Sequence, residues 1–292
     1  MKWTKSHSCM VFLILFVGLS CGCRPQDSQV ITVGLSESFR DVFEKGIIDA
    51  FQEHIKDEFQ WRGLSIEGRV FRDSGELARA VIDGDAIEVA WFEDELSAYK
   101  VLMSPVKCTD WRKEAKGGTF ISSPMVLARA RGQVPEDVSD STIWILDPQA
   151  FSSGRWGKAA LFVREEFSPG VFPVSILKAS EIDDIPDGDL VCCPEFFARL
   201  RGWSYRLMVP TLMAEYKLLQ IHGNIKPQER GAVEYFCEFL VSDRARAEFI
   251  KWGFRPDDRA DLMEYDYPLL THPVTMADYG GWLKIEREIL RK

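Results

Sequence analysis

The sequence is short of the residues that most often do chemistry. It has only four histidines, His7, His54, His222 and His272. None sits in an H-E-x-x-H pair, so a zinc hydrolase of that kind is excluded. G-x-S-x-G and G-x-x-x-x-G-K-[ST] are also absent, which removes the serine-hydrolase elbow and the phosphate loop of nucleotide enzymes. Beyond the N-terminal region the cysteines are Cys108, Cys192, Cys193 and Cys237, with no C-x-x-C and no zinc spacing. No metal site or cofactor motif is found. With no nucleophile–base pair either, the chain does not read as an enzyme. Basic charge is in deficit: 36 Lys and Arg face 45 Asp and Glu, a formal net charge of −9. That balance suits neither nucleic acid nor anionic lipid headgroups. It leaves room for one small anion held locally by backbone dipoles.

Long apolar runs are missing as well, with one exception. "CMVFLILFVGLS", Cys9 to Ser20, follows Lys2 and Lys5 and precedes "CGC". It has the length of a signal-peptide core and is too short to span a bilayer comfortably. Residues 1–22 are therefore expected to be a lipoprotein-type signal, with Cys23 or Cys21 as the lipidated residue. Ordinary secretion with free cleavage is the plainer alternative. Residues 23–29 would be a polar tether, and the protein a lipid-anchored component of the cell envelope or periplasm. Export permits disulfides. The adjacent Cys192 and Cys193 could form a vicinal bridge or fill space at a strand end.

What is present is alternation. "VITVGL" is a short apolar strand, followed by Phe39, Val42, Phe43, Ile47 and Phe51 at helical spacing. "LSIEGRVFR", "SGELARAVIDG" and "IEVAWF" then give strand, helix, strand, a βαβαβ opening that argues for a parallel sheet flanked by helices. A middle block repeats the style with strands "PMVLARA", "TIWILD", "VFPVSIL" and "DLVCC" and helices from "RWGKAALFVREEF" and "EFFARLRGW". A long extended piece, "YRLMVPTLMAEYKLLQIHG", leads to a helical C-terminal part. There Pro227 is expected at a helix start and Thr275 at the start of a last helix. The pattern predicts two α/β lobes: residues 30–124 with 218–292, and residues 125–217. The two crossing segments would form a hinge, with a ligand cleft between the lobes.

Three helix starts share one composition. Ser36 and Ser38 precede the first helix, Ser74 and Gly75 the second, and Ser152, Ser153 and Gly154 the middle one. Each follows a strand end, the edge at which open α/β sheets bind ligands. Ser and Gly are ordinary helix caps. The same donors could also converge on one anion. Trp91 and Trp156 follow a strand and a glycine respectively, and could line the cleft or belong to the core. Acidic pairs such as Asp183–Asp184 and Asp257–Asp258 read as solvated loop charge.

Three stretches resemble the bacterial sulfate/thiosulfate-binding proteins, the ligand-capturing components of ABC importers. They are "SGELARAVIDGDAIEVA", "WILDPQAFSSGRWGKAALF" and "GFRPDDRADLMEYDYPLLTHPVTMADYGGWLKI". The likeness runs from about Val30 to Ile289, and the "RP" and "YGGW" elements of the tail are its most specific part. The resemblance implies a two-lobed type II periplasmic-binding-protein fold, each lobe a mixed, mainly parallel sheet with flanking helices. It implies a monomer that closes over a dehydrated oxyanion, sulfate- or thiosulfate-like, and serves a membrane permease. By position it assigns ligand contacts to Ser36, Ser74, Gly75, Ser153 and Gly154. Departures from the family bring Arg72 and Asp73 beside the site and put Cys193 or Pro194 where the family has a tryptophan. The shortened "SSGRW" and the lost tryptophan motivate an alternative, the same fold with a different anion or a small organic acid as ligand, and a non-transport lipoprotein that no longer binds ligand is the further alternative.

Overall fold

The computed structural model describes residues 29–56, 58, 61, 63–114, 118–138, 141–149, 151–167, 174–178, 185–256 and 259–290. The expected signal, its candidate lipidation cysteines and the pairs Asp183–Asp184 and Asp257–Asp258 lie outside them. Strand β1 (Gln29–Ser36) runs parallel to β2 (Leu64–Phe71) on one side and to β3 (Val89–Phe92) on the other. Between β1 and β2 the chain forms a 3-10 turn (Glu37–Phe39), α1 (Arg40–Val42), a π-helical turn (Phe43–Ile47) and α2 (Ile48–Ile55). Phe39, Val42, Phe43, Ile47 and Phe51 are all buried, as their spacing requires. The π turn contains Gly46, where a Cβ would lie 2.4 Å from Trp252 Nε1. α3 (Ser74–Ile82) connects β2 to β3, and α4 (Glu95–Leu102) follows β3. α4 was not expected. Its buried positions include Ser97 and Ala98, which give the sequence a weak apolar stripe.

The second half of the sheet has β5 (Ile143–Leu146), α5 (Ser152–Phe167), β6 (Val174–Leu177), β7 (Leu190–Pro194) and α6 (Glu195–Leu200). β5 is parallel to both β6 and β7. The two halves are joined by β4 (Thr119–Arg129) and β9 (Thr211–Gln220) in the strand order β2-β1-β3-β9-β4-β7-β5-β6. β4 changes partner along its length. Thr119–Pro124 pair with β9, and Met125–Ala128 pair with β7. β8 (Ser204–Leu207) pairs with this second part of β4, and the chain then returns to β9.

The C-terminal part adds α7 (Arg230–Leu240), α8 (Asp243–Lys251), α9 (Arg259–Glu264), β10 (Pro273–Val274) and α10 (Trp282–Ile285). Two expectations are corrected here. Pro227 opens a turn, and α7 begins only after Glu229, whose carboxylate accepts from the Lys226 amide and ammonium. The last helix is broken. Thr275 and Asp278 cap each other across a 3-10 turn, and Gly280 and Gly281, with φ of 86° and 81°, interrupt it before α10. Side-chain-bearing residues are strained at such φ values.

The core is continuous across the junction of the halves. Phe39 stacks on Trp91 at 4.7 Å between ring centroids, and Phe196 stacks on Phe254 at 4.4 Å. Trp91 is fully buried and is a core residue. Cys108, Cys192, Cys193 and Cys237 are free thiols, so no vicinal bridge forms. Among the described residues no helix is long and apolar enough to cross a membrane, and no side-chain cluster has the makings of a metal site.

Candidate functional site

A cavity of about 650 Å³ opens where β1, β2, β3, β5 and β7 end. All five are exits from parallel strands, the edge at which α/β sheets take ligands. Each strand contributes residues at its exit: Ser38 after β1, Arg72 after β2, Glu93 after β3, Phe151 and Ser153 after β5, and Cys192 to Pro194 at the end of β7. α6 adds Phe196 and Phe197, with Arg201 just beyond it. One wall is thus apolar and comes from the second half of the sheet. Three arginines, Arg40, Arg72 and Arg201, share the lining with Glu37, Asp41 and Glu93. Arg40 is paired with Glu37 at 2.8 Å, and Asp41 with Lys45 at 2.6 Å. The Arg72 side chain is exposed, and its guanidinium makes only a long contact with Asp73, at 3.9 Å.

The sequence-derived residues divide at this cavity. Arg72, Ser153 and Cys193 line it. Ser36, Ser74, Gly75, Gly154 and Trp91 are outside its lining, and most have other work. Ser36 is buried with its hydroxyl 3.1 Å from that of Ser38. Ser74 is buried and accepts the Glu93 amide at 2.7 Å. Gly154 lets the first turn of α5 press on β5: a Cβ there would stand 2.2 Å from the Leu146 carbonyl oxygen. Gly75 faces Asp73, whose Oδ1 would lie 3.1 Å from an added Cβ.

The helix starts do gather around anions, but the anions belong to the protein. Asp73 is buried and caps α3, accepting the Glu76 amide at 2.8 Å. The Glu76 carboxylate in turn accepts the Arg72 amide at 2.8 Å. Asp94 caps α4 through the Ser97 amide at 2.7 Å. Its other oxygen accepts from Ser152 Oγ at 2.6 Å and Arg155 at 2.7 Å, both from α5. Burial alone would raise the Asp94 carboxyl. The charge of Arg155 and these hydrogen bonds outweigh it and hold the group below the usual carboxylate range.

Glu93 is different. It reaches the cavity yet is only 5% exposed. Desolvation raises its carboxyl, and the charge of Asp94 adds to the rise. Hydrogen bonds from Ser38, Ser36 and Ser152 oppose it without cancelling it. Ser38 Oγ donates to Glu93 Oε1. The backbone is fixed at both ends, since Trp156 Nε1 donates to the Glu93 carbonyl oxygen at 2.7 Å. Trp156 meets Trp282 edge to face at 4.6 Å. "SSGRW" and "YGGW" are therefore parts of one support under Glu93. Burial also pushes the Cys192 thiol up to about 12 and the Cys193 thiol well above its ordinary value, so both are neutral donors at physiological pH.

Sequence patterning missed Glu93, Asp94 and Arg155. A signal was present: "FEDEL" places two acids directly at the end of a buried strand, where an uncompensated charge is costly, and "SSGRW" places an arginine in the first turn of a helix. Arg255 of the "RP" element also has a structural task. It holds Glu195, at the start of α6, with two hydrogen bonds of 2.9 and 2.7 Å, and both side chains are nearly fully buried.

No model of a protein family matches the chain. It is similar to a sulfate-binding protein of Synechococcus elongatus, 23% identical over 288 residues that cover 83% of this chain and 81% of that one. Among solved structures it resembles the sulfate-binding protein SubI from Mycobacterium tuberculosis, with a TM-score of 0.69 and 19% identity, covering 89% of this chain and 99% of that one. It also resembles the periplasmic molybdate-binding protein of Azotobacter vinelandii, with a TM-score of 0.53 and 14% identity, covering 78% of this chain and 100% of that one. The chain is thus similar in sequence to a sulfate-binding protein and has the type II periplasmic-binding-protein fold.

Proposed function

We propose that the protein is a solute-binding component of an ABC importer that captures a small oxyanion in the cavity between the two halves of its sheet. The observation that carries this is the cavity itself. It lies at the C-terminal ends of parallel strands from both halves and combines Ser38, Ser153 and three arginines. Neutral hydroxyls and first-turn amides supply short hydrogen bonds to a dehydrated anion, and arginine supplies charge. The homology to sulfate-binding proteins supports the same role.

The lobes of this proposal are residues 30–124 with 218–292, and residues 125–217. Closure would bend β4 where it changes partner and the segment between β8 and β9, which carry the described strands from one half of the sheet to the other. A ligand bridging the halves would favour the closed state by its better contacts there. The envelope location, the lipid anchor on Cys23 or Cys21 and the monomeric state belong to this proposal as well.

The apolar wall favours a second ligand class. Phe151, Phe196 and Phe197 would suit the carbon skeleton of a small organic acid better than a bare inorganic ion. A thermal-unfolding panel with sulfate, thiosulfate, molybdate, phosphate and citrate separates the classes, since a ligand of the folded state raises the midpoint by mass action. A rise with an inorganic anion and loss of that rise in Ser153→Trp support the oxyanion role. A rise with citrate alone supports the organic acid. No rise with any anion contradicts both.

A further inference from the structure

We infer that Glu93 sets the chemistry of the ligand: the cavity takes an anion that presents an O–H of its own to this carboxylate, as hydrogen phosphate does and sulfate does not. The inference rests on the cavity being an oxyanion site and specifies which oxyanion.

Glu93 cannot move aside easily. Its amide is bonded to Ser74 Oγ at 2.7 Å and its carbonyl to Trp156 Nε1 at 2.7 Å, so the backbone is held from α3 and from α5. Its Oε1 is already taken by Ser38 Oγ. No buried cation stands in ion-pair contact with it among the described residues, because Arg155 is committed to Asp94. Asp94 lies on the same turn as Glu93, Arg155 on α5, and Tyr216, whose phenol burial keeps protonated, on β9. The same cavity is lined by Arg40, Arg72, Arg201, Glu37, Asp41 and the neutral thiols of Cys192 and Cys193.

An oxyanion entering this cavity meets donors from Ser38, Ser153 and the arginines, and of the three acids in the lining Glu93 is the buried one, since Glu37 and Asp41 are exposed and paired with Arg40 and Lys45. If neither partner carries a proton there, two acceptors face each other in a desolvated contact. A proton on the ligand turns that contact into a charge-assisted hydrogen bond. Sulfate carries no proton near neutral pH, so it can bind well only when Glu93 takes one up. Burial of Glu93 makes such uptake easier, and it ties sulfate affinity to pH through linkage.

The test is titration calorimetry of the protein at about pH 8, where sulfate and hydrogen phosphate are dianions of the same shape that differ by one O–H. Wild type is expected to bind hydrogen phosphate at least about 100-fold tighter than sulfate. In Glu93→Gln the ratio is expected to fall below about tenfold, because the amide can donate to sulfate. Equal binding of the two anions by wild type, or an unchanged ratio in Glu93→Gln, overturns the inference and leaves the oxyanion role standing. Failure of both anions to bind either protein overturns the oxyanion role and the inference with it. A second readout needs no variant. Sulfate affinity of wild type should be stronger in acid than at alkaline pH, falling as Glu93 loses its proton, and a flat profile overturns the inference.

Discussion

The indole of Trp156, on α5, donates to the carbonyl oxygen of Glu93, at the end of β3, at 2.7 Å. The bond crosses from the second half of the sheet to the first and is buried. It fixes the turn that carries Glu93 and Asp94, so the floor of the cavity is set by a contact between the halves. Trp156→Phe keeps the packing on Trp282 and leaves the carbonyl without that donor. The expected cost is about 1–3 kcal/mol. It should appear as a lower urea midpoint with an unchanged slope.

The two carboxylates on that turn respond oppositely to pH. The Glu93 carboxyl is raised above its ordinary value of 4.5. Its protonation therefore stabilises the fold fully below that value, and the contribution is lost as pH rises through the folded-state pKa. Glu93→Gln should thus gain stability over wild type between acid and neutral pH. The Asp94 carboxyl is lowered below 3.8. Its contribution is present above 3.8 and is lost as pH falls through the lower folded-state value. Asp94→Asn should lose most at neutral pH and least in acid. Urea titrations of both variants from pH 3 to pH 8 check the two signs, and parallel curves for wild type and either variant would count against the assignment.

Gly154 is a packing requirement of the α5–β5 contact. In Gly154→Ala the new Cβ would fall 2.2 Å from the Leu146 carbonyl oxygen, against backbone that cannot yield cheaply. A loss of about 1–3 kcal/mol is expected. Gly223→Ala is the control, with nothing within 4 Å of its added Cβ, and should stay within about 0.5 kcal/mol of wild type. Thermal or chemical unfolding of the pair distinguishes crowding from a general effect of alanine.

Arg255 and Glu195 form a buried pair that ties the C-terminal tail to α6. Arg255→Ala leaves an unpaired carboxylate and should cost about 3–5 kcal/mol. Replacing both residues by apolar ones of similar volume should recover most of that loss. A double variant no more stable than Arg255→Ala would show that the arginine acts through its other contact, the Pro268 carbonyl oxygen at 2.6 Å.

The fold was legible because its periodicities were strong. Phe39, Val42, Phe43, Ile47 and Phe51 mark one buried helical face, and "IEVAWF" carries strand residues that end buried at 0% exposure in Val89 to Phe92. The site was legible only in part. The sequence placed Ser and Gly at three helix starts, and those starts do converge on one sheet edge. Local pattern cannot tell a donor that faces a ligand from one that faces the protein's own acid. Ser74, Ser152 and the first turn of α3 serve Glu93, Asp94 and Asp73. That assignment depends on contacts between residues some 20 to 60 positions apart, as the Glu93–Ser74 and Asp94–Ser152 bonds show. No short motif records such a distance.

In the proposed function a small anion binds between the two halves of the sheet. The most direct measurement is the thermal midpoint of wild type and of Ser153→Trp, each with and without millimolar hydrogen phosphate. Ser153 lines the cavity from α5, and an indole there would fill it. A midpoint that rises with the anion in wild type and stays fixed in Ser153→Trp is the expected result. Equal rises in both proteins, or none in wild type, would contradict the claim.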